Sequence, residues 1–342
     1  MKIIIAGAGI GGMALAALLR QRGAAATLCE RAESFDQSGY MIGLYPLGAR
    51  VLHGLGLMDD FKAARAPFVT YTVCNGHGEE VHSYDIGAML DQFGASGCLM
   101  RGTLLDLMRT RCADLPLHFG TRVEDFVDDG EKVTVTLSDG ATDTCDLLIG
   151  ADGIHSTVRR RLFGDQPDHE TGWGCWVWIA RHTDRPATLT KEYWGAGRFL
   201  GLYPIKGAVG VVAAGRTQDI GPDATRRDGR KVKQHFAPLG PSVADLFAEL
   251  PDDLGEVFWW NLSDFRAARW VKGRVALLGD AACAFLPTAG VGASMALESA
   301  AVMDDELGRT DAAFLPGALA RYETRRSTGR RASSRSPASS PR

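Results

Sequence analysis

Residues 2–12, KIIIAGAGIGG, decide how the chain begins. Lys2 to Ala6 is a short apolar run without polar alternation, the pattern of a parallel strand buried on both faces. Gly7, Ala8, Gly9, Ile10, Gly11 and Gly12 follow at once, and an amphipathic helix continues to about Gly23. Gly7 permits the tight turn, Gly9 lets the backbone approach a pyrophosphate, and Gly12, with Ala16 one turn later, lets the helix lie close to the strand. The free N–H groups and positive end of such a helix bind phosphate. A second apolar run ends in Glu30-Arg31, and Glu30 stands near the ~20-residue spacing of an acid that binds a ribose hydroxyl. Strand, turn, helix and acid together point to a dinucleotide site rather than a glycine turn used only for packing. They do not separate NAD, NADP and FAD, and Arg31 suits a 2′-phosphate as well.

The chain has 342 residues, enough for one large α/β domain with an inserted partner, or for two domains. A hydrophobic content of 45% and a formal charge of −3 fit a soluble globular enzyme and argue against a nucleic-acid binder. The N-terminus enters a strand directly, without a basic region ahead of a signal core. No run approaches the ~18 apolar residues of a membrane span. Seven dispersed cysteines (Cys29, Cys74, Cys98, Cys112, Cys145, Cys175 and Cys283) without a CxxC pair fit reduced thiols in cytoplasm better than a disulfide frame. Neither they nor the eight histidines show metal-ligand spacing, so no metal is expected.

Beyond the opening unit, residues 38–43 read as a loop or strand returning to the cofactor, and residues 46–57 as a helix ending at Gly56. Val69, Tyr71 and Val73 alternate ahead of Asn75-Gly76 and His77-Gly78, which predicts a hairpin in a second layer. Residues 101–113 read as a helix, and residues 117–127, 132–137 and 146–149 as strands. Between about residues 163 and 265 the strands look antiparallel and tryptophans cluster, with one short helix expected over residues 242–250. A buried strand at residues 274–278 then leads to a helix over residues 292–307. Residues 325–342 carry six arginines and no acid, which reads as a solvated, disordered tail.

Two further strand-to-glycine turns, GADG at Gly150 and GDAA at Gly279, place Asp152 and Asp280 where a carboxylate can accept hydrogen bonds from sugar hydroxyls. Together, GAGIGG with Glu30-Arg31, DLLIGADGIHSTVRR and GDAACAFLPTAGVGASMALESA resemble the three fingerprints of single-component, FAD-dependent aromatic hydroxylases, the group A monooxygenases of the para-hydroxybenzoate hydroxylase type. The resemblance includes LMRGTLLDLM and FLGLYPI and runs from Met1 to about Arg326. It implies that the tightly held cofactor is FAD. Glu30 would bind the adenosine ribose, Val123 would lie by the adenine, and Arg101 would contact the flavin nucleotide. Asp152 would belong to the motif shared with the pyridine nucleotide, Asp280 would meet the ribityl and phosphate region, and Gly290, Val291, Gly292 and Ala293 would pass beside the ring.

The expected fold is α/β, a Rossmann-type FAD-binding domain (residues 1–66, 98–162 and 266–326) with an inserted β-sheet substrate domain (67–97 and 163–265) and a disordered tail (327–342). The implied activity is hydroxylation of an aromatic or polyketide-like small molecule with O₂ and transient NAD(P)H, through a flavin C4a-hydroperoxide. The alternatives are a flavin oxidoreductase without oxygen insertion and a non-catalytic flavin-binding relative. Trp176, Trp178, Tyr203 and Pro287 are candidate pocket residues, and no catalytic side chain is singled out. A cytoplasmic monomer or homodimer is expected. Two departures from the family stand out. Cys283 replaces a frequent histidine and reads as a small buried residue in a helix turn, and the sequence past Arg326 abandons the family pattern.

Overall fold

The structure, a computed structural model, describes residues 1–35, 39–181, 185–186, 188–195, 197–221, 226–255, 257–287 and 290–333. Its first strand, Lys2–Ala6, lies between two parallel neighbours, Ala25–Cys29 and Leu147–Gly150. Ile3, Ile4 and Ile5 are therefore covered on both faces, each contributing about 1.5–3 kcal/mol of hydrophobic stabilisation. The central six-stranded sheet runs Val271–Lys272, Val275–Leu277, Leu147–Gly150, Lys2–Ala6, Ala25–Cys29, Leu117–His118. The helix Ile10–Gln21 makes the crossover between its first two strands in sequence, giving the expected Rossmann-type unit.

The expected hairpin is present as Thr70–Asn75 and Glu80–Asp85. It forms the outer edge of an eight-stranded sheet whose largely antiparallel remainder comes from residues 169–216 and 258–284. One face of that sheet packs on Met41 and Cys98 from a small three-stranded sheet and on Phe68 just beyond it. The other is covered by the helices Gly229–Phe236 and Ala244–Ala248. The short helix expected over residues 242–250 is a 3₁₀ turn, Pro241–Val243, continuing into Ala244–Ala248.

The helix Gly292–Leu307 has the expected bounds and packs beside the first helix. Gly11 makes that approach possible, because a Cβ there would stand 2.9 Å from Leu278 and 3.6 Å from Ala296. The final helix, Leu315–Ser333, corrects the expectation of a tail from residue 327, which is helical to Ser333; residues 334–342 lie outside the described part. Two arginines counted with the tail are docking residues. Arg325 reaches Asp305 at 2.5 Å and Glu306 at 2.9 Å, and Arg326 pairs with Glu298. Arg321 also meets the buried Glu306, at 2.7 Å. Cys283 is another correction. It pairs with Arg266 in a two-residue strand, beyond the 3₁₀ turn Gly279–Ala281, rather than in a helix turn. All seven cysteines are buried. No helix among the described residues is long and apolar enough to cross a membrane.

Tyr322 ties the last helix to the central sheet. It is fully buried, and its hydroxyl donates to the Leu277 carbonyl at 2.9 Å. Tyr322→Phe leaves that carbonyl without its partner, and the expected loss is about 1–2 kcal/mol of stability, read as a lower urea midpoint at unchanged slope.

Candidate active site

A cavity of about 810 Å³ lies between the glycine turns and the large sheet. Its size is typical of small-molecule sites, roughly 300–1,000 Å³. Gly9, Ile10 and Gly11 line it from the first turn, and Ala151, Gly153 and Ile154 from the second. Gly279, Asp280, Pro287, Gly290, Gly292 and Ala293 line it from the third. Tyr40, Tyr45, Phe68 and Arg101 contribute walls, while Tyr71, Val177, Thr190, Glu192, Tyr203 and Val212 come from the sheet. A smaller hollow of about 400 Å³, lined by Phe236, Val243 and Phe247, lies behind that sheet, apart from the turns.

The residues fit a bound dinucleotide. Neither the helix beginning at Ile10 nor that beginning at Gly292 has a side-chain cap, so their first N–H groups face the cavity end unclaimed. A Cβ at Gly9 or Gly292 would meet no atom within 4 Å, so both glycines leave bare backbone beside open space. Gly7 and Gly12 serve the turn itself. Gly7 has φ +103°, and a Cβ there would stand 2.4 Å from the Ala151 carbonyl oxygen, while one at Gly12 would stand 2.0 Å from the Gly7 carbonyl oxygen.

Glu30 holds the base of this loop, accepting from Ala8 N at 2.8 Å and Ala32 N at 3.0 Å, with lone pairs left for a further donor. Glu30, the exposed Arg31 and the buried Val123 lie beyond the cavity rather than on its wall. Val291 is the N-cap of the pocket helix and also does not line it. Asp152 requires a correction. Its carboxylate accepts from Ser156 Oγ at 2.5 Å, Thr157 N at 2.7 Å and Val158 N at 3.1 Å, capping the helix Thr157–Phe163 instead of facing the cavity. Asp280 does face it. The group opens onto the cleft yet is enclosed by protein, and this burial raises its pKa, with Arg101 opposing.

Trp176 and Trp178 are the second correction. They point away from the cavity into the core behind the sheet, their indole N–H groups donating to Arg226 O at 2.8 Å and Leu246 O at 3.3 Å. Strand alternation puts Cys175 and Val177 on the cavity face instead. Tyr203 and Pro287 line the cavity as expected.

Sequence reading missed two features. Arg159 clamps the second and third turns together, donating to Ile154 O at 2.6 Å and Ala281 O at 3.0 Å while stacked 3.8 Å over the Phe265 ring. Glu192, buried in the sheet, accepts from Tyr71 Oη at 2.7 Å, Tyr203 Oη at 2.8 Å and Trp194 Nε1 at 3.0 Å. Burial, and then Glu192, raise the Tyr203 pKa well above the ordinary tyrosine value. A lone acid in a strand gives no sequence signal. Only the sheet register brings the two tyrosines to it.

Residues 1–328 match the family described as FAD binding domain. The aurachin C monooxygenase/isomerase of Stigmatella aurantiaca is 31% identical over 94% of this chain and 84% of its own length. The 2-heptyl-3-hydroxy-4(1H)-quinolone synthase of Pseudomonas aeruginosa is 30% identical, over 88% of this chain and 79% of its own. Klebsiella pneumoniae HpxO, solved with FAD and uric acid, superposes with a TM-score of 0.87 at 27% identity, covering 95% of this chain and 84% of that one. The chain belongs to the FAD binding domain family and, within it, to the single-component FAD-dependent aromatic monooxygenases.

Glu30→Ala removes a charge-assisted acceptor from the loop and is expected to weaken FAD binding about 10- to 100-fold, measured by quenching of flavin fluorescence. For Asp280 the folded-state pKa is raised, so ionisation costs the cofactor-free protein stability above that value, and stability is regained as pH falls through it. Asp280→Asn is therefore expected to raise the Tm of the cofactor-free protein at about pH 8, with the gain vanishing near about pH 4.

Proposed function

We propose that this chain consumes NAD(P)H and O₂ to place one oxygen atom on an electron-rich aromatic or polyketide-like small molecule bound against the eight-stranded sheet. The observation that carries this reading is the single cavity shared by the three glycine turns and an aromatic sheet face. In this reading the strands and helices of residues 1–66, 98–162 and 266–326 hold the cofactor, and residues 67–97 and 163–265 hold the substrate.

The N–H groups of the loop from Gly9 to Gly12 receive the pyrophosphate. Glu30 takes the adenosine ribose, Val123 flanks the adenine, and Arg31 stands at the rim. Arg101 and Asp280 take the phosphate and ribityl part, and the backbone from Gly290 to Ala293 lies along the ring. FAD, when bound, supplies hydride acceptance from the nicotinamide and activation of O₂. The protein's part is to keep water out and orient the ring. Tyr45 and Phe68, with ring centroids 5.6 Å apart, form an apolar wall. Tyr203, held by Glu192, places a hydroxyl at the substrate side of the cavity.

The test is stopped-flow reduction of the flavin-bound protein by NADPH under anaerobic conditions, with and without a panel of phenols and polyketides. Reduction accelerated many-fold by one class of ligand is expected. A bound flavin reduced at one unchanging rate, whatever ligand is present, contradicts the proposal.

A further inference from the structure

The sheet side of the cavity carries an arrangement that FAD binding does not explain. Thr190 and Glu192 lie two residues apart on the strand Leu189–Gly195, so their side chains share one face about 7 Å apart. The register places Tyr71 and Tyr203 on either side of Thr190 in adjacent strands. Gly201, opposite Glu192, keeps the space clear, since a Cβ there would stand 2.7 Å from the Tyr203 ring. The Tyr203 hydroxyl can therefore lean across to Glu192.

This leaves two unfilled polar positions on the sheet side of the cavity. Glu192 Oε2 accepts from both Tyr71 and Trp194, but Oε1 accepts from Tyr203 alone, so a lone pair remains. Thr190 is 4% exposed and lines the same cavity, and its buried hydroxyl has no hydrogen-bond partner. The hydrogen-bond donors to Glu192 among the described residues are Tyr71, Trp194 and Tyr203, none of them a cation. A buried acceptor with an open lone pair beside an unpartnered hydroxyl is satisfied by a ligand that brings its own donor.

We infer that Glu192 selects substrates presenting an N–H donor on a neutral ring edge, as in a nitrogen heteroaromatic or an aminoaryl compound, with Thr190 meeting a second polar group. An anionic edge, such as a ring carboxylate, is rejected, because it would face a buried carboxylate acceptor without a compensating cation. This inference rests on the monooxygenase reading for the identity of the cavity, and it adds the chemical class of the substrate.

The test is calorimetric titration of the FAD-loaded full chain with 4-quinolone, N-methyl-4-quinolone and quinoline-4-carboxylate. The N–H compound is expected to bind about tenfold or more tightly than its N-methyl analogue, and the carboxylate more weakly than either. In Glu192→Gln the N–H preference is expected to shrink to about threefold or less while the carboxylate gains affinity. Equal affinities in the unaltered chain, or heat from none of the three probes, overturn the inference without any variant having to fold. A preference that survives Glu192→Gln overturns the assignment to Glu192. Anaerobic reduction of the same FAD-loaded samples by NADPH reads the parent proposal separately: a chain that binds the probes with this selectivity but whose flavin is reduced at one unchanging rate refutes the monooxygenase reading and not this one.

Discussion

The contact on which the structure depends is the approach of the first helix to the first turn. Gly12 sits where a Cβ would be 2.0 Å from the Gly7 carbonyl oxygen, and Gly7 sits where a Cβ would be 2.4 Å from the Ala151 carbonyl oxygen. Two absent methyl groups thus bring the first and second glycine turns together and aim the helix N-terminus into the cleft. The third turn is drawn in by Arg159, whose guanidinium bridges Ile154 and Ala281 across the Phe265 ring. The helix that follows, Gly292–Leu307, can lie beside the first because Gly11 leaves room for Leu278 and Ala296. The result is two uncapped helix ends converging on one space, a field suited to an anionic cofactor.

The large sheet completes the cleft by division of its faces. On the strand His169–Ala180, Trp176 and Trp178 fill the rear core with Phe236 and Phe247, and Cys175 and Val177 turn toward the cleft. At one corner Tyr71, Glu192 and Tyr203 hydrogen-bond together, while Glu170, Asn261 and Ser263 line the cavity from other strands of the sheet. Uncapped helix ends meet the cavity at the glycine turns, and the buried Glu192 lines it on the sheet side.

The sequence was most legible where geometry is encoded locally. Gly7 and Gly12 are dictated by φ and by contact distance, and the helix Gly292–Leu307 has the bounds read from the sequence. The hairpin at Thr70–Asn75 followed from alternation and its Asn75-Gly76 turn. Long-range choices were not legible. Period-two alternation shows that Trp176 and Trp178 share a face but not which face meets the cleft. Asp152 has the same neighbours in sequence whether it binds a sugar or caps the helix at Ser156; the hydrogen bonds show that it caps the helix. Glu192 gathers Tyr71 from 121 residues away, a pairing set by strand order alone. Arg325 and Arg326 read as tail composition until Glu298, Asp305 and Glu306 are found opposite them.

The most direct measurement of the central claim is the fate of molecular oxygen in one turnover. The FAD-loaded protein is reduced with NADPH, then mixed with ¹⁸O₂ and a ligand that accelerates reduction, and the organic product is weighed by mass spectrometry. The account predicts a product carrying one ¹⁸O atom, formed in proportion to the NADPH consumed. Unchanged ligand, with the oxygen recovered as hydrogen peroxide, would contradict it.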